Sequence, residues 1–324
     1  MKECLKQNIN PSSSDAPQSI AEAQKKFFSV YNGRLSSIDE RQRAALAENI
    51  LLVATGGKTK PSFSIIDKGE GQSPKRIPET ILSLTKNNKI KIPFVQGKFG
   101  MGGSGVLRFC SPENSVLLVI SKRNHEIDIK IDEKIHGKDE TRDLWGVTVV
   151  RREDPKGGEK SSHYTYLAPK GEILSFSADE LPLLPGPYPK ILHASLKSGT
   201  FIKIYEYEIG SGLRSFIGFD LYYRLALLMP DVALPVRITE RRKYKAHSHD
   251  KTLAGLSVRL DEDKSENLEP EFQTPSTGEM TVEGQKLDYS IYVFKKGKKE
   301  NYAKSEGVVF SINGQTHGFL PKEF

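Results

Sequence analysis

The order of apolar and polar positions predicts two helices and a hairpin in the first 66 residues. Residues 19–31 and 37–48 mix apolar and charged positions in the manner of surface helices. Residues 50–54 and 63–66 are short apolar runs on either side of a glycine pair. Such runs, joined by a glycine-containing turn, predict two antiparallel strands.

The remaining pattern predicts an alternation of strands with two more helices. One helix is predicted from Pro74 to about Leu84, since proline favours the first helical position. The apolar stretch 216–229 predicts another, and the proline-rich run 181–190 predicts a rigid connector. Strands are predicted at the other apolar runs: 115–120, 126–131, 145–152, 163–168, 199–205, 234–239, 254–260, 287–294 and 307–313.

The composition is that of a folded chain with room for two domains. Of the 324 residues, 37% are hydrophobic and 27% are charged, which is enough apolar material for a core and excludes disorder throughout. Cys4 and Cys110 lie far apart in the sequence and form no disulfide framework, which favours a reducing, cytoplasmic location. The longest apolar stretch, 221–236, is interrupted by charges and a proline, so we expect no membrane span. The N-terminus lacks the apolar core of a secretory signal.

Basic residues concentrate between positions 235 and 259, in a chain of net charge +7. The run Arg241-Arg242-Lys243-Tyr244-Lys245 combines cations with an aromatic ring, as nucleic-acid-binding surfaces do. A solvated turn has the same composition. Nucleic acid is therefore a candidate partner, and the solvated turn remains open beside it.

Two glycine motifs carry most of the chemical information. The first, Asp67-Lys68-Gly69-Glu70-Gly71, follows the strand predicted at 63–66, and the second spans Gly97 to Gly105. Taken alone, the second motif matches the glycine spacing of a dinucleotide-binding fingerprint. That fold requires a helix directly after the glycines, whereas a strand is predicted close behind them. A P-loop requires a lysine where Gly103 stands, and the downstream motifs of a kinase glycine loop do not occur.

Together, the two motifs resemble those of the GHKL (Bergerat-fold) ATPases, a family that includes type II topoisomerases, heat-shock chaperones and sensor histidine kinases. The resemblance covers about residues 50–210. It implies that Asp67 accepts a hydrogen bond from the exocyclic amine of adenine. It also implies that Thr200, on a Gly-Thr strand, supports this aspartate, and that residues 85–96 form a mobile lid over ATP.

In the same family the glycine loop presents backbone amides to the phosphates of ATP, and the first glycines allow the chain to pass close to the base. The cofactor-binding residues implied by the resemblance are Asp67, Gly69, Gly71, Lys86, Gly97, Lys98, Gly100, Gly102, Gly105 and Thr200.

The third motif of the family, Glu-x-x-x-Asn, is missing. Glu3, Glu22 and Glu40 each lack an asparagine four residues later. In the family this glutamate activates the attacking water and the asparagine binds Mg²⁺. We therefore assign no catalytic residue and no metal ligand, expect Mg²⁺ to be held by the phosphates of ATP, and expect negligible hydrolysis by this chain.

The resemblance implies an α/β protein: a two-layer Bergerat-type sandwich with helices on one face of a mixed sheet, followed by a β-rich, transducer-like domain. The expected domains are 1–210, with 1–49 as an appendage or insertion, and 211–324, which we expect to be truncated. The expected function is ATP binding coupled to conformational change or homodimerisation, in a fragment of a larger ATPase. A degenerate, non-hydrolysing nucleotide sensor or scaffold and a nucleic-acid-binding module are the alternatives.

Overall fold

The computed structural model is a mixed α/β protein with one large mixed sheet and additional antiparallel hairpins. It describes residues 1–83, 89–97, 105–110, 115–158, 160–182, 195–208, 217–242, 250–273, 276–299, 302 and 306–322. The α-helices are α1 (Lys2–Lys6), α2 (Ile20–Phe28), α3 (Glu40–Ala47), α4 (Ile129–His136), α5 (Ile217–Leu228), α6 (Leu256–Glu262) and α7 (Lys264–Asn267).

The strands of the large sheet come from both halves of the chain. They are β1 (Ile50–Gly56), β2 (Pro61–Asp67), β3 (Val116–Lys122), β4 (Trp145–Glu153), β5 (His163–Tyr166), β6 (Leu174–Phe176), β9 (Gly199–Ile204), β10 (Val236–Glu240) and β11 (Lys251–Leu253). The remaining strands form two-stranded pairs: β7 (Leu181–Pro182) with β8 (Ser195–Leu196), β12 (Ser276–Val282) with β13 (Gln285–Ile291), and β14 (Gly307–Ile312) with β15 (Gln315–Pro321).

The large sheet has the order β11-β10-β1-β2-β9-β3-β4-β5, with β6 also paired to β4. β1 and β10 are parallel, and the other described pairings are antiparallel. Because β10 and β11 follow residue 210 in the chain, this sheet includes strands from both sides of the domain boundary expected there. The hairpins β12–β13 and β14–β15 lie outside the sheet.

Both faces of the sheet are covered by apolar side chains, as the alternation of side chains along each strand requires. On one face, Leu51 and Ile66 pack with the fully buried Trp145. On the other face, Ala54 and Phe63 pack against α5. The strand pairs Leu51–Ile66 and Ala54–Phe63 are in register, so neighbouring strands present matching faces.

Most of the predicted elements near the two glycine motifs are confirmed. The helices predicted at 19–31, 37–48 and 216–229 form as α2, α3 and α5, and the paired apolar runs before Asp67 form β1 and β2. The helix predicted from Pro74 to Leu84 is wrong, since only a 3₁₀ turn at Pro74–Arg76 forms there. Pro78 lacks the N–H that a continuing helix would need.

Two predicted strands are wrong because the chain forms helices there. Residues 126–131 alternate apolar and polar positions, but the side chain of Asp128 accepts a hydrogen bond from Lys130 N and caps α4. Ile131 and Ile135 then lie on one face of that helix, in a cluster with Leu5. The strand predicted at 254–260 is instead α6, which buries Val258 and Leu260.

Candidate nucleotide-binding cavity

Asp67 is the last residue of β2 and stands beside Thr200, near the start of β9. The two residues are register partners, so their side chains lie on the same face of the sheet. Ser121, on β3, is the next residue across that face, and its hydroxyl lies 3.1 Å from the hydroxyl of Thr200. Three neighbouring strands therefore bring an acid and two hydroxyls together.

A cavity of about 1040 Å³ opens over this part of the sheet. This volume is at the upper end of the range of small-molecule and cofactor sites. Asp67, Gly71 and Thr200 line it, as do residues that the sequence did not single out. The other lining residues include Met1, Leu5, Asn10, Pro11, Ser12, Glu70, Gln72, Lys75, Arg76, Glu79, Lys89, His136, Lys138, Asp139 and Ile202.

The Asp67 carboxyl is electrostatically unusual. Burial raises its pKa from 3.8 to about 6, although a hydrogen bond from Gly69 N (2.9 Å) and the charge of Lys89 act in the opposite direction. The carboxyl thus remains ionised at neutral pH, with no arginine or lysine hydrogen-bonded to it among the described residues. A carboxylate of this kind is ready to accept a hydrogen bond from a ligand in the cavity.

Gly71 of the first motif and Gly199 at the start of β9 serve the packing of the chain. Gly71 has φ +60°, and a Cβ there would lie 1.8 Å from the carbonyl oxygen of Lys122. Gly199 has φ +122°, and its Cβ would lie 2.1 Å from the carbonyl oxygen of Asp67. Both glycines therefore allow backbone to approach backbone at the end of the sheet. The resemblance implied that Gly71 allows close approach of a base, whereas the contact seen is with β3.

A buried ionic network fixes the turn that carries Gly71. Arg123 is 1% exposed, and its guanidinium donates to Gly71 O (3.1 Å), Glu70 (3.2 Å) and Asp132 (2.6 Å). Arg142 also donates to Asp132, at 3.2 Å. Burial acts to raise the pKa of Asp132, but the two arginines outweigh it and hold that pKa below its usual value.

The sequence does not predict this network, because its members are spread over 73 positions, from Glu70 to Arg142. The one signal available was the presence of two arginines in a stretch that also contains the apolar strand β3. Their burial with a shared carboxylate is a property of the folded chain alone.

The second glycine motif is described only at its ends. Gly97 and Gly105 are described, and neither lines the cavity. Lys86, Lys98, Gly100 and Gly102 lie outside the described residues. The predicted contact of this loop with phosphates therefore stays a prediction. The predicted lid at 85–96 also stays a prediction, and its described part, 89–96, buries Ile92 and Phe94 against the N-terminal segment.

Gln96 ties the start of the second motif to the C-terminal part of the chain. Its side-chain amide donates to Asp231 O and Asn313 O, both at 2.8 Å, and its side-chain oxygen accepts from Ala233 N at 2.9 Å. Asn313 belongs to the turn of the β14–β15 hairpin. The side chain of one residue thus joins the glycine loop to a hairpin more than 200 positions away.

Residues 1–12, expected as part of an appendage, form a wall of the cavity. Leu5 is buried against α4, and Cys4 packs with Ile92 and Phe94. Lys6 forms an ion pair with Glu126 at 2.9 Å. The N-terminal segment is therefore part of the candidate site.

Several arginines of the basic segment 235–259 are engaged within the protein. Arg242 is buried and donates twice to Glu240. Arg237 pairs with Glu48 and with Asp250. Arg259 is buried among tyrosine rings, with its guanidinium 4.4 Å from the centre of the ring of Tyr223. Residues 243–249, with the rest of the predicted basic and aromatic run, lie outside the described residues.

Neither a protein-family model nor a curated protein matches the chain. Within the described part of the chain, no helix has both the length and the apolar character needed to cross a membrane. The described residues likewise contain no group of three or more His, Cys, Asp or Glu side chains placed to hold a metal ion.

Proposed function

We propose that this chain binds an adenine nucleotide in the cavity lined by Asp67 of β2 and Thr200 of β9, as a Bergerat-type module of the GHKL kind. The observation that carries the proposal is the register pairing of Asp67 with Thr200 at the floor of the cavity. The motif Asp-x-Gly-x-Gly and the strand Gly199-Thr200 are 128 or more positions apart in the sequence, and the fold brings them side by side.

The side chains at the Asp67 end of the cavity are chemically suited to adenine. At neutral pH the Asp67 carboxylate has only acceptor capacity, and the exocyclic amine of adenine is a donor. Guanine presents an oxygen at the corresponding ring position, which would face the carboxylate with a second acceptor. The Thr200 hydroxyl lines the cavity and can meet a ring nitrogen or a bridging water. The fully buried Ser121 hydroxyl, 3.1 Å from it, accepts from Gln72 N and donates to Gly199 O, so it positions Thr200 and does not face the ligand.

Hydrolysis is not part of this proposal. In the described residues no side chain has been identified that would activate water, and Mg²⁺ would be held by the phosphates of the nucleotide. Binding in a non-hydrolysing sensor or scaffold is therefore the form of the function that the residues support best. Turnover is expected to be negligible, and loss of a general base typically costs about 10²- to 10⁴-fold.

The test is calorimetric titration of the chain with ATP, ADP and GTP, for the wild type and for Asp67→Asn. We expect ATP and ADP to bind in preference to GTP. Loss of a hydrogen bond between a charged group and the ligand should lower the affinity of the Asp67→Asn variant by roughly ten- to hundredfold. Glu79→Gln is the matched control, because it removes an acidic charge from the same cavity and leaves β2 intact.

Equal affinity for ATP and GTP, or equal binding of ATP by wild type and Asp67→Asn, would refute the assignment of Asp67 to the adenine. Absence of binding by the wild type would refute the proposed function as a whole.

A further inference from the structure

Arg76 ends the 3₁₀ turn that follows the Asp67–Gly71 motif, and its side chain lines the main cavity. Its Nη1 atom is buried and has no hydrogen-bond partner, and no ion pair to Arg76 exists among the described residues. Arg123, Arg142 and Arg242 are more deeply buried, and each of them donates to a carboxylate. Arg76 is therefore a half-buried cation with one buried nitrogen that has no partner among the described residues.

The acids near Arg76 are already engaged by other groups. Glu70 accepts from Arg123, and Asp132 accepts from both Arg123 and Arg142. Asp139 accepts from the Ser73 hydroxyl and from Thr141. Burial and the neighbouring charge of Arg123 lower the pKa of Arg76. A guanidinium in this position is costly unless an anion pairs with it, and none of these three carboxylates is hydrogen-bonded to it.

Other unsatisfied groups in the same cavity define the rest of the ligand. Among the described residues, the buried side-chain oxygen of Gln72 has no hydrogen-bond partner, and the Asp67 carboxyl accepts from Gly69 N alone. Lys89 and Lys138 line the cavity as well. A ligand that satisfies these groups must carry both N–H donors and an anionic group with several oxygen atoms.

We propose that Arg76 is a phosphate-binding residue of this cavity, and that its guanidinium pairs with the phosphate groups of the bound nucleotide. The inference rests on the proposed function for the identity of the ligand. It adds that the anionic end of the ligand is recognised by a side chain on the turn directly after the Asp67–Gly71 motif. A planar guanidinium suits this role because it donates two parallel hydrogen bonds to phosphate oxygens.

The experiment compares wild type with Arg76→Gln by calorimetric titration with adenosine, ADP and pyrophosphate in the absence of Mg²⁺. We expect the affinity of Arg76→Gln for ADP to fall by roughly ten- to hundredfold, with that for adenosine unchanged. Pyrophosphate binding should be lost. Arg108→Gln is the matched control, because Arg108 is exposed and does not line the cavity.

The arms of the experiment separate this inference from the proposed function. If wild type binds adenosine and ADP but Arg76→Gln binds ADP as tightly as wild type, the role of Arg76 is refuted and the proposed function stands. An equal loss for adenosine and ADP would also refute it, because the residue would then shape the cavity as a whole. If wild type binds no adenosine but binds pyrophosphate in an Arg76-dependent manner, the proposed function fails and the anion assignment stands. Wild type that binds neither ADP nor pyrophosphate overturns both.

A stability measurement tests whether Arg76 instead has a structural role. Because Arg76 has no partner to lose, Arg76→Gln should melt no lower than wild type, as followed by the fluorescence of the single tryptophan, Trp145. Marked destabilisation of this variant would show that Arg76 has a structural partner and would overturn the inference.

Discussion

Replacing Asp67 by asparagine should stabilise the unliganded protein at alkaline pH while it weakens nucleotide binding. The substitution keeps the shape of the side chain, and the asparagine oxygen still accepts the hydrogen bond from Gly69 N that Asp67 accepts at 2.9 Å. What it removes is the negative charge, which the folded protein holds in a partly buried position at the end of β2.

The magnitude follows from the pKa of Asp67. Burial raises this pKa from 3.8 to about 6, so between these values the folded chain retains a proton that the unfolded chain has released. Wild-type stability therefore falls as the pH rises through this window, and the loss is complete above pH 6. Since one pKa unit corresponds to about 1.4 kcal/mol, the full penalty is about 3 kcal/mol. Water in the cavity screens part of it, so we expect Asp67→Asn to gain about 1–3 kcal/mol at pH 8.

The assay is urea unfolding followed by the fluorescence of Trp145, at pH values from 4 to 8. Trp145 is fully buried and packs against side chains of β1, β2 and Leu196. Its emission therefore reports the loss of the central sheet. The difference between Asp67→Asn and wild type should be close to zero at pH 4 and should grow to its full value above pH 6. Glu79→Gln, on the wall of the same cavity but exposed, should show no such growth.

A difference that is the same at every pH would refute the reasoning, since it would not arise from titration of Asp67. Destabilisation by Asp67→Asn at pH 8 would show that the carboxylate has a stabilising partner in the folded chain.

Three further predictions concern the groups that build the site. Gly71→Ala should destabilise the protein by at least about 2 kcal/mol more than Gly157→Ala in urea unfolding: the two glycines share φ near +60°, but nothing lies within 4 Å of a Cβ at Gly157. Arg123→Met should lower the free energy of unfolding by about 3–5 kcal/mol in the same assay, because Asp132 loses the closer of its two arginine partners. Gln96→Ala should speed amide hydrogen exchange at the Asn313 turn and leave β3 unchanged, and equal exchange at that turn would show that the contacts of Gln96 do not hold it.

The sequence pattern predicted an element correctly where a short run of neighbouring residues is enough to determine its secondary structure. The apolar run before Asp67 predicted β2 and placed the acid at the end of a strand, because a short apolar run and a following glycine turn are properties of neighbouring residues. The same pattern failed at 126–131, where the alternating isoleucines favour a strand, but Ile127, Ile131 and Ile135, each four residues apart, lie together in one cluster and Ile129 is exposed. The helix cap at Asp128 and the packing of Ile131 against Leu5 favour the helix α4 over a strand.

What only the tertiary structure decided is which distant residues meet. Ser121 and Thr200 are 79 positions apart, yet their hydroxyls are neighbours because β3 and β9 are adjacent in the sheet. The order of strands depends on the packing of whole elements on both faces, and no short stretch of sequence contains that information. The pairing of Arg123 with Asp132 follows from the same topology, and so does the missing partner of Arg76. Sequence by itself thus located the acid and the glycines, while the fold determined the cavity and the charges that surround it.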